Sequence, residues 1–293
     1  GEVTPQDTAN VYLKKMVPKH KLKNFLQFSG YDRDQLHLVH RQWGHLSFDK
    51  CRDIMGLPKS KNAVEDTCND CWKAELKEPN RNKETLTRAD LHLYRIHMDL
   101  TGVKASNVKG FRLALILVDD KTRYTWMYPL QNRGQWIEKV MWWKKMIENQ
   151  HPPYKVAKFR TDSEPTIVGN TLWMDWLENE GIVHEVAAPY SQFQNGVVER
   201  RIGILGKMTK AMLYTSGLPV GDWYHAMEYA TYLLNRTFSR SYPSADGYLP
   251  PYQVFYQRGE EYVPEGVFGC HTLGKVYVKG KMAPQAAECL WLG

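Results

Sequence analysis

The sequence predicts an α/β protein built on one mixed five-stranded sheet with flanking helices. Two observations carry this reading. Five short apolar runs between residues 94 and 186 have the composition and length of strands. Segments of helical period then interleave with the last two of them. Three strands, helix, strand, helix, strand, helix is the order of an open sheet that mixes antiparallel neighbours with parallel crossovers.

Each element has its own signal. Residues 94–100 (YRIHMDL), 111–119 (FRLALILVD) and 124–130 (YTWMYPL) read as strands, the last two joined by a tight turn at Asp120-Lys121-Thr122. Residues 134–150 read as an amphipathic helix, because Trp136, Val140, Trp143 and Ile147 recur at steps of four, three and four. Residues 155–160 form a fourth strand, 172–180 a helix and 182–186 a fifth strand. Long helices follow at about 195–215 and 221–235.

Outside this core, 94–245, four regions are expected. Residues 1–36 are basic (Lys14, Lys15, Lys19, Lys21, Lys23) and read as an arm or extension. Residues 37–72 hold four candidate metal ligands and a short helix after Ser47, an N-cap type. Residues 73–93 are polar and read as a linker. Residues 246–293 read as a small β-rich region, expected to be cut short at Gly293.

Composition narrows the function. At 43% hydrophobic and 24% charged residues, wholesale disorder is excluded. The longest apolar run, residues 113–118, is far below the ~18 residues that a membrane span needs. The opening GEVTPQDT has no secretory pattern. Lys plus Arg outnumber Asp plus Glu by 39 to 32, a net charge of +7 that favours a polyanionic partner. Five scattered cysteines do not make a disulfide framework; a reducing compartment and a metal site fit better.

His40 and His45 with Cys68 and Cys71 offer two imidazoles and two thiolates, the donor set of structural zinc. Cys-x2-Cys reaches one ion from a single turn. Five residues apart on a helix, the histidines would point about 140° apart, so a break at Gly44 is needed. His37 is the chief competitor for a ligand place and Cys51 a weaker one.

Asp99 in the first strand, Asp162 after the fourth and Glu199 in the long helix form a second constellation. Strands one and four are neighbours in such a sheet, so the three carboxylates would converge. Clustered carboxylates repel unless a hard cation such as Mg²⁺ or Mn²⁺ is present, and a pair of such ions suits phosphodiester chemistry. Asp119, Asp120 and Glu164 are rivals, and His97 shares the parity of Asp99. On the long helix Val197, Val198, Ile202, Leu205, Met208 and Met212 fall on one arc. Glu199, Gly203, Gly206, Lys207 and Lys210 fall opposite, with Arg200 at the edge. That face would admit a phosphate backbone, or it is a solvated surface.

Over residues 36–293 the sequence resembles the integrases of copia-type LTR retrotransposons. The landmarks run in order: HRQWGHLSFDK, CNDC, HMDLTG, LVDDKTRYTWMYPL, FRTDSEP, APYSQFQNGVVER, SGLPVGDWYHAMEYATYLLNR, VFGC and AAECLWLG. The resemblance implies an HHCC zinc domain on His40, His45, Cys68 and Cys71, an RNase H-like core, and a D-D-E triad of Asp99, Asp162 and Glu199. Arg200, Lys207 and Lys210 become DNA contacts. It further implies Mg²⁺ or Mn²⁺ at the triad, structural Zn²⁺, double-stranded DNA as partner, a homo-multimer on two DNA ends, a host tethering factor and no membrane. The activity implied is transfer of element DNA 3′-hydroxyl ends into target DNA, in the nucleus, after a cytoplasmic particle stage. Two departures stand out: Ser163-Glu164 replaces the usual Asn-Gly, and Ile202-Gly203 replaces the Asn-Arg of Glu-Arg-x-Asn-Arg. A domesticated or inactive integrase acting as a non-catalytic DNA-binding or assembly protein is the alternative.

Overall fold

A computed structural model describes residues 33–58, 68–74, 88–187 except 104, 106 and 108, 195–239, 242–244, 247–259, 264, 266–275 and 286–293. The arm expected over residues 1–36 therefore lies almost wholly outside the described residues, as do residues 75–87 of the expected linker.

The central sheet comprises β1 (Arg95–Gly102), β2 (Leu113–Asp119), β3 (Thr125–Leu130), β4 (Lys158–Thr161) and β5 (Val183–Val186) in the order β3-β2-β1-β4-β5. β1–β2 and β2–β3 are antiparallel, whereas β1–β4 and β4–β5 are parallel. This is the RNase H-like arrangement. β2 is buried at every position, as its unbroken LALILV requires of a strand covered on both faces.

Strand parity divides the core. Ile96, Met98, Leu100, Leu115 and Leu117 pack with α4 (Trp136–Gln150) and α6 (Thr171–Glu180) through Trp143, Ile147, Trp173 and Leu177. Ala114, Ile116 and Val118 face the other way, toward α7 (Gly196–Ser216) and α8 (Trp223–Arg236). Asp99 pairs with Ile116 and so faces α7.

β4 begins at Lys158, later than the expected 155, for a visible reason. Glu148, at the end of α4, accepts the Val156 N–H at 2.9 Å and the Lys155 ammonium at 3.1 Å, which ties this segment to the helix rather than to the sheet. A short helix that the sequence reading lacked, α5 (Pro165–Val168), starts on a proline whose fixed φ suits a first helical turn. β3 is an edge strand, and Asn235 of α8 clasps it: its amide oxygen accepts the Thr125 N–H at 2.9 Å and its NH₂ donates to the Thr125 carbonyl at 2.8 Å.

The N-terminal unit consists of α1 (Arg33–Gln42), α2 (Phe48–Met55) and α3 (Asn69–Ala74). α1 starts inside the stretch expected to be an arm, so the helix crosses the expected boundary at 36/37. Ser47 stands at the N-cap of α2, but its side chain makes no capping bond there. The unit does not stand apart from the core. Leu36, Trp43, Leu46, Cys51 and Met55 share one buried cluster with Met208 and Met212 of α7 and Leu233 of α8. Gly44 sits at φ +62°, and a Cβ there would lie 2.9 Å from Leu233 Cδ1 and 3.0 Å from Met208 Cε, so a larger residue would be strained and would push these side chains aside.

The C-terminal region holds a hairpin of β8 (His271–Lys275) and β9 (Ala286–Leu290), after the small pair β6 (Pro243–Ser244) and β7 (Gly247–Tyr248). It also holds a helix, α9 (Pro251–Tyr256), in a region expected to be β-rich. Proline again opens the helix, and Phe255 fixes it against Tyr124, Trp126 and His151.

Candidate metal centres and nucleic-acid face

His40 lies near the end of α1, and the chain then turns sharply through Gly44 and His45, both with positive φ. The predicted break at Gly44 thereby brings the two rings together. His45 Nδ1 is 3.1 Å from His40 Nε2, and Cys71 Sγ is 3.3 Å from His40 Nε2 and 3.4 Å from His45 Nδ1. Cys68 Sγ is also 3.4 Å from His45 Nδ1, and all four donor atoms lie within 4.8 Å of one another. A zinc ion with N ligands at about 2.05 Å and S ligands at about 2.3 Å has tetrahedral edges of roughly 3.3–3.8 Å, so the set fits zinc. Hydrogen bonding from Cys71, joined by His40 and His45, pulls the Cys68 thiol well below its ordinary range against the opposing effect of burial.

The outer nitrogens are also committed. His40 Nδ1 lies 2.6 Å from the Leu46 carbonyl. His45 Nε2 lies 2.8 Å from Thr215 Oγ1, which donates in turn to Asp70 Oδ2 at 3.0 Å. With metal on the inner nitrogens, both outer nitrogens carry protons and donate, the arrangement that fixes ring tautomer and orientation. The two competitors fall outside the set. His37 packs edge-on against the rings of His40 and Phe48, and the Cys51 thiol donates to the Leu46 carbonyl at 3.4 Å.

The second constellation forms at one end of the sheet. β1 and β4 are in parallel register with His97 opposite Arg160. Extended by two residues, that register sets Asp162 beside Asp99, and both share the parity that faces α7. Glu199 lies in the first turn of α7. Burial pushes the Asp99 carboxyl up to about 6, reinforced by the charges of Asp162 and Glu199. Burial raises Asp162, and burial followed by the Asp162 charge raises Glu199. The Leu100 N–H donates to Asp99 at 2.7 Å and the Glu164 N–H to Asp162 at 3.1 Å. Acids whose charges raise Asp99 and Glu199 in this way form an anionic cradle suited to a hard cation. Among the described residues the histidine–cysteine set is the group whose donors are gathered closely enough to hold an ion as they stand, and the three carboxylates are not so gathered.

The rival acids are engaged elsewhere. Asp119 accepts the Leu93 and Thr122 N–H groups at 2.9 and 2.7 Å and the Thr122 hydroxyl at 2.6 Å. Asp120 accepts the Ala89 N–H at 2.8 Å and pairs with Arg95, Arg123 and buried His97. Glu164 pairs with Arg133. On α7 Val198, Leu205, Met208 and Met212 are buried, while Glu199, Arg200, Gly203, Lys207 and Lys210 are exposed. A Cβ at Gly203 or Gly206 would meet nothing within 4 Å, so this face is open and low. Two side chains at these centres were not singled out from sequence: Arg133 and Thr215. Neither lies in a spacing motif, and only the tertiary fold brings them there.

No protein-family model matches the chain. Over 230 residues, 78% of the chain, it is 26% identical to the retrovirus-related Pol polyprotein from transposon RE2 of Arabidopsis thaliana, and equally so to that from transposon RE1. It is 24% identical over 273 residues, 90% of the chain, to the corresponding polyprotein from transposon TNT 1-94 of Nicotiana tabacum. It spans 15% of the length of the first two relatives and 20% of the third. Among solved structures, the HTLV-2 integrase catalytic core domain in complex with magnesium superposes with a TM-score of 0.42 at 17% identity, covering 57% of this chain and 99% of that one. The simian T-cell lymphotropic virus intasome in complex with PP2A regulatory subunit B56 gamma gives 0.48 at 14% identity and 87% of each chain. By its sequence, the chain is related to one segment of the Pol polyproteins of copia-type plant retrotransposons.

Proposed function

We propose that the chain is a DNA integrase that joins 3′-hydroxyl ends of linear element DNA to phosphodiesters of a double-stranded target. The observation that carries this reading is the β1–β4 register at one end of an RNase H-like sheet, which runs on to Asp99 and Asp162, with Glu199 in the first turn of α7. Mg²⁺ or Mn²⁺ bound there would supply the positive charge that activates an attacking oxygen and stabilises a leaving one. The chain's own part is to hold the ligands still. The N–H groups of Leu100 and Glu164 fix Asp99 and Asp162. Packing of Val198 and Leu205 fixes the helix that presents Glu199. Arg200, Lys207 and Lys210 on the same helix would take phosphates without regard to sequence. His40, His45, Cys68 and Cys71 would hold zinc as a structural tie between the N-terminal helices. Joining two ends in concert requires a homo-multimer on DNA, and the chemistry would take place in the nucleus, where a host factor could tether the assembly.

The test is a strand-transfer assay with labelled duplex ends and plasmid target. Asp99→Asn, Asp162→Asn and Glu199→Gln should each abolish transfer while zinc content and DNA binding persist. The three losses should not add, because residues acting as a unit are non-additive. A wild-type chain that assembles on DNA ends yet transfers nothing with either Mg²⁺ or Mn²⁺ would establish the non-catalytic DNA-binding role instead.

A further inference from the structure

The departure at Ser163-Glu164 has a partner across the site. Arg133 lies in the 3-10 turn Arg133–Gln135 that follows β3. β1, β3 and β4 run in one direction, so this turn opens at the same edge of the sheet as the carboxylates. The Arg133 guanidinium pairs with the Glu164 carboxylate, and its Nη1 also reaches the Thr166 hydroxyl oxygen at 3.4 Å. Half of the arginine side chain remains exposed, whereas Glu164 is only 20% exposed. Arg133 is also close enough to Asp99 and Asp162 to pull both carboxyls down, against the stronger effect of burial.

A guanidinium seated directly on Asp162 would occupy the place of a metal ion. Glu164 prevents this by taking the arginine itself, while its backbone N–H still holds Asp162. The pair thus keeps a planar cation with several donors at the rim of the site, half open to solvent. That group matches a phosphate diester in charge and in geometry.

Building on the reading of the site as a DNA-joining centre, we propose that Arg133 is a DNA phosphate ligand beside the carboxylates, and that Glu164 holds it until a phosphate displaces the glutamate. Exchange of one anionic partner for another needs no bond chemistry, and the ion pair that is given up stands at the rim, with its arginine half exposed. The replacement of Asn-Gly by Ser-Glu then has a physical role: it tunes the affinity for DNA and leaves the three metal ligands untouched.

The experiment is a double-mutant cycle on the full chain: Arg133→Gln, Glu164→Gln and both together. It is read by fluorescence anisotropy of a labelled duplex of unrelated sequence across a salt series in Mg²⁺. Arg133→Gln should weaken binding and reduce the log–log salt slope by about 0.9, the value for one phosphate. Glu164→Gln should tighten binding by roughly two- to fivefold, the strength of an exposed ion pair, and should have no effect in the Arg133→Gln background. An unchanged slope for Arg133→Gln overturns the inference. So does equal tightening by Glu164→Gln in both backgrounds, because that is only the loss of a negative charge. A wild-type chain that binds no duplex removes the DNA-joining reading itself, whereas a wild-type chain that binds alongside an Arg133→Gln variant with unaltered slope removes this inference alone.

Discussion

Thr215 is the residue through which the metal unit is wired to the long helix, and replacing it by valine isolates that connection. The side chain keeps its β-branched shape, so helix and packing should be retained. Two bonds are lost: the 2.8 Å bond from His45 Nε2 and the 3.0 Å bond to Asp70. His45 is buried, so its outer N–H is left without a partner. Loss of such an orienting bond typically weakens metal binding by roughly ten- to a hundredfold, or about 1.4–2.7 kcal/mol. Zinc affinity measured by competition with a chromophoric chelator should fall by that amount for Thr215→Val and stay near wild type for Thr215→Ser, which keeps the hydroxyl. A valine variant that holds zinc within twofold of wild type would show that His45 is oriented by its inner contacts alone, and the reasoning would fail.

Three further outcomes are expected. Asp99 titrates near 6 instead of its ordinary 3.8, so without metal its contribution to stability is complete below 3.8 and is lost as pH rises through about 6. Mg²⁺ must compete with that proton, so the rise in Tm on adding Mg²⁺ should be small at pH 5 and large at pH 7.5; a pH-independent rise would refute the assignment. Asn235→Ala strips both partners from the buried Thr125 backbone and should destabilise the fold by about 2–4 kcal/mol in denaturant titrations; a change below about 0.5 kcal/mol would mean that the clasp is incidental. Neutralising Lys207 and Lys210 together should flatten the salt dependence of duplex binding by up to about 1.8 log units per log unit of salt, whereas an unchanged slope would leave the α7 face merely solvated.

Much of this was legible in the sequence where the signal is local. Cys68 and Cys71 lie three residues apart across one turn, and the two-residue period of β1 sets Asp99 on the face opposite Met98. The 3.6 period of α7 likewise separated Met208 and Met212 from Lys207 and Lys210. What stayed hidden depends on contacts between distant segments. Thr215 meets His45 across 170 positions and Asn235 meets Thr125 across 110, and neither residue type announces such a partner. The helix Pro251–Tyr256 was missed because six residues are too few to display a period; its stability comes from Phe255 entering an aromatic pocket.

The shared cluster beneath Trp43 bears on how the protein can be dissected. Gly44, Trp43 and Leu46 cover Met208, Met212 and Leu233. A fragment that began at residue 88 would leave those side chains facing water, and it should aggregate even with every carboxylate in place. Exchange of the N-terminal unit with that of a relative should succeed only when the matching surfaces of α7 and α8 travel with it. The unit is therefore not an interchangeable module, and a cut in the polar stretch 73–93 would part surfaces that pack together.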